Sequence, residues 1–200
     1  SSFGGTPTGT VVFKDGTTTL ATVSLSSGAA AFSSSALSAG THAISAEYSG
    51  DANHDVGSGS VSQVVSLATP TITIASQTNP SIFGQSVQLT VTVSGAGSTP
   101  SGTVTFLDGS TNLGNVALNG AGQGTITLTS LNASAHSIVA IYSGDANFLS
   151  RSSASFLQQV SRSSTTTTLS TSGSPSTLGA SVAITALVAA VAPGSGTPSG

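Results

Sequence analysis

The sequence predicts an all-β chain of tandem sandwich domains, and three observations carry that expectation. A block of about 95 residues recurs along the chain. Inside the block, apolar and polar residues alternate one for one, the pattern of a strand with one wet face. No segment carries a 3.6-residue apolar stripe, and the abundance of Thr and Val suits a pleated surface better than a helix.

The repeat organises everything else. Thr6-Pro7-Thr8-Gly9-Thr10-Val11 returns as Thr99-Pro100-Ser101-Gly102-Thr103-Val104, a shift of 93, and again as Thr197-Pro198-Ser199-Gly200. Tyr48-Ser49-Gly50-Asp51-Ala52-Asn53 returns unchanged at 142–147, a shift of 94. Pro80 to Val87 returns as Pro175 to Val182, a shift of 95. The drifts place single-residue insertions near Gly120 and in the loop after Asn147, with three extra residues around Ala189 to Gly196. The block is one domain long, so the chain is an array of whole domains and not a solenoid of small units. Residues 67–161 form a complete unit, 1–66 the C-terminal part of one (strands C to G) and 162–200 the N-terminal part of another (strands A and B). Without an initiator Met or a signal sequence, the segment is expected to come from a longer protein.

In chain order, the complete unit reads as seven short strands. Ile72 and Ile74 alternate with Thr71 and Thr73 in strand A, near 70–76. Val87, Leu89, Val91 and Val93, separated by Gln88, Thr90 and Thr92, make strand B at 85–94. Val104 and Phe106 alternate with Thr103 and Thr105 in C at 102–107, which stops at the turn pair Asp108-Gly109. A weaker arm, Leu113 to Leu118, makes C′ (or D) at 112–118. Ile126 and Leu128 sit among threonines in E at 123–129. His136, Ile138, Ala140 and Tyr142 share one face of F at 135–143, and Phe156, Gln158 and Val160 one face of G at 153–161. Seven short strands punctuated by turn residues are the pattern of an immunoglobulin-like sandwich. Two sheets with one apolar face each bury those faces against each other. The apolar run Leu178 to Ala192 falls on strand B of the last unit by the shift of 95. It is shorter than the roughly 20 residues of a membrane span.

Composition removes whole classes of function. Only nine of 200 residues carry a formal charge, 4%, against about 25% in ordinary domains. That is too few for a nucleic-acid groove or a polybasic membrane patch. The absence of Cys excludes disulfides, thiolate metal sites and cysteine nucleophiles. An internal Lys–Asn cross-link is excluded for 67–161, because Lys14 is the only lysine. No Gly-x-Ser-x-Gly elbow on a strand-to-helix turn occurs, and each copy offers one strand-F His, one Tyr and few acids, so no catalytic constellation is expected. No cofactor is expected either.

Gly-Thr-Val-x-Phe-x-Asp-Gly, at Gly102 to Gly109 and Gly9 to Gly16, is followed in the first copy by Ala39 to Asn53, which includes Thr-His-x-Ile-x-Ala-x-Tyr-Ser-Gly-Asp-Ala-Asn. With Pro80 to Val87, these stretches resemble the bacterial Ig-like domain of group 3, across essentially the whole chain. The resemblance implies tandem sandwiches in large secreted or surface-attached bacterial proteins, serving as stalk or adhesin-associated modules without a shared catalytic site. One departure is Ser134-Ala135 where the first copy has Gly40-Thr41.

The candidate residues have structural readings. His42 and His136 open strand F after a tight corner, where many Ig-like domains place a Tyr that bonds back across the corner. An imidazole there buries its ring and sets one nitrogen on a backbone carbonyl. Tyr48, Asp51 and Asn53, with Tyr142, Asp145 and Asn147, read as a turn in which Asp and Asn bond their own backbone. Asp51, Asn53 and Asp55 also have the opening spacing of a calcium loop. However, Val56 stands where such a loop needs Gly, and no bidentate Glu follows. Asn132-Ala133-Ser134 matches a glycosylation acceptor, a match expected to be accidental in a bacterial stalk.

The expected role is therefore mechanical. Joints of about four residues are too short to behave as coil, so neighbouring Ig-like repeats are expected end to end, each adding about 40 Å of reach. The alternative is a module that binds carbohydrate or a host protein through loop aromatics, with Phe3, Phe83 and Phe148 as candidates. Phe13, Phe32 and Phe106 fall on inward positions. The chain is expected outside the bacterial cell, without membrane insertion or nucleic acid. Each end fragment exposes unpaired edges and half a core. The two are complementary in cis or in trans, and separate, poorly packed ends are expected because a stiff domain lies between them.

Overall fold

The structure, a computed structural model, describes residues 5–199, which are all β and turn, with no helix among them. The chain divides into two compact units. Unit 1 runs to Thr69 and takes in Gly95–Ser98 and Ala146–Leu149, and unit 2 holds the remainder.

Unit 1 is one antiparallel sheet of β1 (Thr10–Asp15), β2 (Thr18–Ser24), β3 (Gly40–Tyr48) and β4 (Gly57–Val65), in the order β2-β1-β3-β4. These are C, C′, F and G of the repeat. Strand E is not formed: residues 29–34 contain no strand, a departure from the expected C-to-G set. The cause lies in pairing, since an E strand needs strand B beside it. The segments of unit 1 from later in the chain are tied in by backbone bonds. Ala68 N–H donates to Asn147 O at 2.8 Å, and Leu149 N–H donates to Ala68 O at 3.0 Å. Ala39 N–H donates to Asn147 Oδ1 at 2.9 Å.

Unit 2 contains the complete sandwich. Its first sheet is β5 (Thr71–Ser76), β7 (Val87–Ser94) and β10 (Gln123–Leu128), ordered β10-β7-β5, that is E-B-A. Its second sheet runs β6-β13-β11-β8-β9. Here β6 is Ser81–Ile82, β8 Thr103–Asp108, β9 Thr111–Ala117, β11 Ala135–Tyr142 and β13 Phe156–Ser161, while the short β12 (Arg151–Ser152) also pairs with β11. The alternation of the sequence becomes burial. Val87, Leu89, Val91 and Val93 are buried on one sheet, and Val104, Phe106, Ile138, Ala140 and Tyr142 on the other. Each buried side chain of this size contributes about 1.5–3 kcal/mol relative to exposure.

Two features of unit 2 depart from expectation. Strand G is split, and the insertion expected after Asn147 lies in the break instead. Tyr142 pairs with Arg151 as Tyr48 pairs with Gly57, a shift of 94, whereas Ile138 pairs with Phe156 as Ile44 pairs with Val61, a shift of 95 on the G side. The extra residue therefore falls within 153–155, where Ser153 N–H donates to Ala140 O and Ser153 Oγ accepts from Ala140 N–H. Strand A also changes sheets. After the cis Asn79–Pro80 bond, β6 pairs parallel with β13. Asn79 copies a backbone partner at the crossing: its Nδ2 donates to Leu157 O at 2.7 Å, and its Oδ1 accepts from Gln159 N–H at 3.0 Å. The buried Gln158 Nε2 donates to Thr78 O at 2.9 Å on the same crossing.

The insertion near Gly120 sits in the turn before strand E. Unit 1 closes the equivalent turn with Ser27 and Gly28, both at positive φ (52° and 77°), as a two-residue primed turn needs. The second copy places three residues, 120–122, between Asn119 and Gln123, which remain bonded N–H to O. Unit 2 also includes the hairpin of β14 (Thr165–Thr171) and β15 (Ile184–Ala190). The apolar run Leu178 to Ala192 thus contributes a strand. No helix among the described residues is long and apolar enough to cross a membrane.

Candidate functional site

The residues singled out by the repeat gather at the two ends of the C–F strand pair, in both copies. At the end where C stops and F starts, the imidazole lies between two acceptors. His42 Nδ1 is 2.6 Å from Asp15 Oδ2, and its Nε2 is 2.9 Å from Ser38 O. His136 Nδ1 is 2.7 Å from Asp108 Oδ2, and its Nε2 is 3.0 Å from Asn132 O. A carbonyl can only accept, so Nε2 carries a proton, and the carboxylate favours a second proton on Nδ1. The Ser38 carbonyl and then the Asp15 carboxylate raise the His42 pKa. For His136 burial works the other way, but the Asn132 carbonyl and Asp108 together outweigh it and the pKa is raised.

The aspartate partner was missed by sequence reasoning, which supplied only the carbonyl. The signal was present: the turn pair Asp-Gly stands at the end of strand C in both copies, at Asp15-Gly16 and Asp108-Gly109. The corner without its glycine is accommodated. Gly40 takes φ +143°, whereas Ser134 avoids positive φ. The Ser134 hydroxyl donates to Asn132 Oδ1 at 2.8 Å and lies 3.1 Å from His136 Nε2.

At the opposite end, the Tyr-Ser-Gly-Asp stretch clasps the start of strand C. Asp51 Oδ2 accepts from Thr8 N–H at 2.7 Å and from Thr8 Oγ1 at 3.1 Å. Asp145 Oδ2 accepts from Ser101 N–H at 2.8 Å and from Ser101 Oγ at 3.0 Å. The neighbouring serines repeat the device, Ser49 Oγ accepting from Thr10 N–H at 3.0 Å and Ser143 Oγ from Thr103 N–H at 3.2 Å. Tyr48 Oη donates to Thr8 O at 2.6 Å. Burial and then Asp145 push the Tyr142 phenol up to about 12. The glycine of Thr-Pro-x-Gly is required by this approach. Gly102 has φ +94°, and a Cβ there would stand 3.0 Å from Ser143 Oγ and 3.1 Å from Gly144 O.

In the spacing Asp51, Asn53, Asp55, the first carboxylate is bonded to the start of strand C and within its own turn. Asp51 Oδ1 accepts from Asn53 N–H and faces His54 Nδ1, both at 2.8 Å, so both carboxylate oxygens are engaged. The Thr8 and Asn53 N–H groups hold its pKa well below the usual carboxylate range. Among the described residues, no three His, Asp or Glu side chains converge.

The aromatic candidates separate. Phe3 lies outside the described residues. Phe148 is no surface anchor, being 1% exposed, with its ring filling the space where a side chain on Gly95 would begin. Phe106 is buried as expected, while Phe13 stacks on Phe32 at 5.8 Å and Phe32 keeps 38% exposure. Phe83 is 40% exposed and lines an open cleft with Ala133, Arg162, Ala190 and Pro198.

No curated protein matches this chain. A solved structure of Clostridium thermocellum CbhA fibronectin(III)-like modules is similar at 15% identity, with 81% of this chain and 83% of that chain covered and a TM-score of 0.38. The family model of the bacterial Ig-like domain (group 3) matches residues 1–68 and again 72–161. The repeat, the all-β strand pattern and that double match agree: the chain belongs to the bacterial Ig-like domain (group 3) family.

Proposed function

We propose that the chain is a structural spacer, part of the stalk of an extracellular or surface-attached, adhesin-like bacterial protein, and that it carries out no catalysis. One observation supports this most directly. The polar residues that recur between copies are engaged internally: the histidines with Asp15 and Asp108, and Asp51 and Asp145 with the start of strand C. A catalytic or binding site would instead aim such groups at a common point in a cleft. The joints support it too, with only residues 66–70 between β4 and β5 and 162–164 between β13 and β14. Links of that length restrict hinge motion.

The second reading, a carbohydrate- or host-protein-binding module, rests on Phe83 in its cleft. Glycan-array and surface-protein binding screens of the full chain, alongside the Phe83→Ala variant, distinguish the two. The spacer reading expects no saturable binding by either protein. Saturable binding abolished by Phe83→Ala would overturn it.

A further inference from the structure

A module of a stalk is loaded along its chain, so the two strands through which load enters and leaves a repeat decide how it resists. In the complete repeat these are strand A, reached from residues 66–70, and strand G, which runs on into 162–164. Load entering at Thr71 passes along β5, an edge strand held by one ladder to β7. It then reaches the crossing at residues 77–83. There the chain leaves the first sheet and joins β13 of the second in parallel, with Ser81 beside Val160 and Ile82 beside Ser161.

The facing edge of β13 is bonded at alternate residues. Leu157 O accepts from Asn79 Nδ2, Gln159 N–H donates to Asn79 Oδ1, and Ser161 O accepts from Phe83 N–H at 2.8 Å. Pro80 has no N–H to offer a neighbouring strand, and the Asn79 side chain supplies a donor and an acceptor beside it. From inside the sandwich, Gln158 Nε2 donates to Thr78 O at 2.9 Å and lies 3.3 Å from Ser81 Oγ. Gln158 and Ser81 are 0% and 1% exposed, so a bond broken there is not at once replaced by one to water.

We infer that this parallel A–G junction is the mechanical lock of the repeat, with Asn79 and Gln158 as its side-chain fastenings. The inference rests on the spacer reading, which sets the direction of load. Parallel strands pulled from opposite ends slide along each other. The evenly spaced bonds between them share the pull and must fail together. A pair pulled apart from one end opens one bond at a time instead. Here β6 is drawn towards its N-terminal side and β13 towards its C-terminal side, which is the sliding geometry.

The chain has no cysteine, so handles attach only where cysteines are introduced. The full chain with Thr69→Cys and Arg162→Cys, both at exposed positions, loads the middle repeat along these strands in an optical trap. It should hold until one release that frees about 80 residues, on the order of 290 Å at about 3.6 Å each. Attachment at Ser86→Cys in place of Thr69, beside the end where Phe83 bonds Ser161, should peel the junction and release it at a lower force. Asn79→Ala should speed release along the strands about tenfold at constant force, as the loss of two bonds implies. Asn79→Asp, which accepts but cannot donate, should speed it less. Leu128→Ala, buried on β10 away from the junction, should lower the melting midpoint and leave the release rate unchanged. Saturable binding in the glycan and protein screens would sink the spacer reading without altering these forces. Equal release forces from the two attachments overturn the lock. So does an Asn79→Ala chain that releases at the wild-type rate, or a Leu128→Ala chain that releases as fast as Asn79→Ala.

Discussion

Phe106 and Phe13 occupy the same place in two copies of one strand, and their truncation to Ala separates what the second sheet contributes from what the ladder contributes. Phe106 is 0% exposed between two sheets. Its removal deletes buried apolar surface and leaves a cavity, which costs about 3–5 kcal/mol for Phe→Ala in a core. A repeat of this size has a total stability of roughly 5–14 kcal/mol, so Phe106→Ala removes a large share of it. At about 4–8 °C per kcal/mol for a domain of this size, the midpoint should fall by on the order of 20 °C. Phe13 keeps the same ladder register but is only half-buried, with the Phe32 ring as its stacking partner. Without an opposing sheet its truncation leaves no closed cavity, and the cost should be about 1 kcal/mol. The assay is native-state amide exchange, with β11 reporting on Phe106→Ala and β3 on Phe13→Ala, because a chain of several folding units has no single unfolding energy. Equal losses at the two sites, or a loss under about 1 kcal/mol at Phe106, would refute the claim that the A–B–E layer closes the core.

Three further outcomes follow from the two ends of the C–F pair. His136 has a raised pKa in the fold, so its contribution is fully present below the unfolded value near 6.5 and is lost as pH rises through the folded value. The midpoint of the middle repeat should therefore decline across that window, and His136→Gln should flatten the profile; an unchanged slope would exclude His136 as the titrating group. Asp51 behaves oppositely: its lowered pKa gives stability above the unfolded value of 3.8 that is lost as pH falls below it, so Asp51→Asn should blunt acid sensitivity in β3 amide protection. Gly102→Ala forces a side chain into positive φ and against the Ser143–Gly144 clasp. It should lower stability by about 1–3 kcal/mol, whereas Gly109→Ala, with open space around its Cβ, should cost only the φ term, about 1–2 kcal/mol, as thermal melts would show.

The strands of the complete repeat were legible because their code is local. Val87 to Val93 and Val104 to Phe106 alternate strictly, and a period of two places one set of side chains on one face whatever the rest of the chain does. The His–carbonyl corner was legible for the same reason, since Asn132 and His136 are four residues apart. The bond from His136 to Asp108 spans 28 residues, and nothing in either segment alone announces it. The extra residue was placed in the loop after Asn147, and the break in strand G was not foreseen, because alignment shifts locate an insertion only to the stretch between matched blocks. Hydrogen bonding to β11 puts the extra residue at 153–155.

By itself, the sequence determined that this chain is β throughout, that its domains repeat, and which side chains make up a core, because periodicity, turn residues and repetition are properties of the chain alone. Only the tertiary structure decided which of those side chains are buried. Residues 29–34 have an inward-type Phe32 and a turn before them, yet form no strand without an edge to bond to. Leu169 and Ile184 keep the register of Ile74 and Leu89 and still face water. A strand needs a neighbour for its backbone groups and an opposing sheet for its apolar face. Both are supplied by residues distant in the chain.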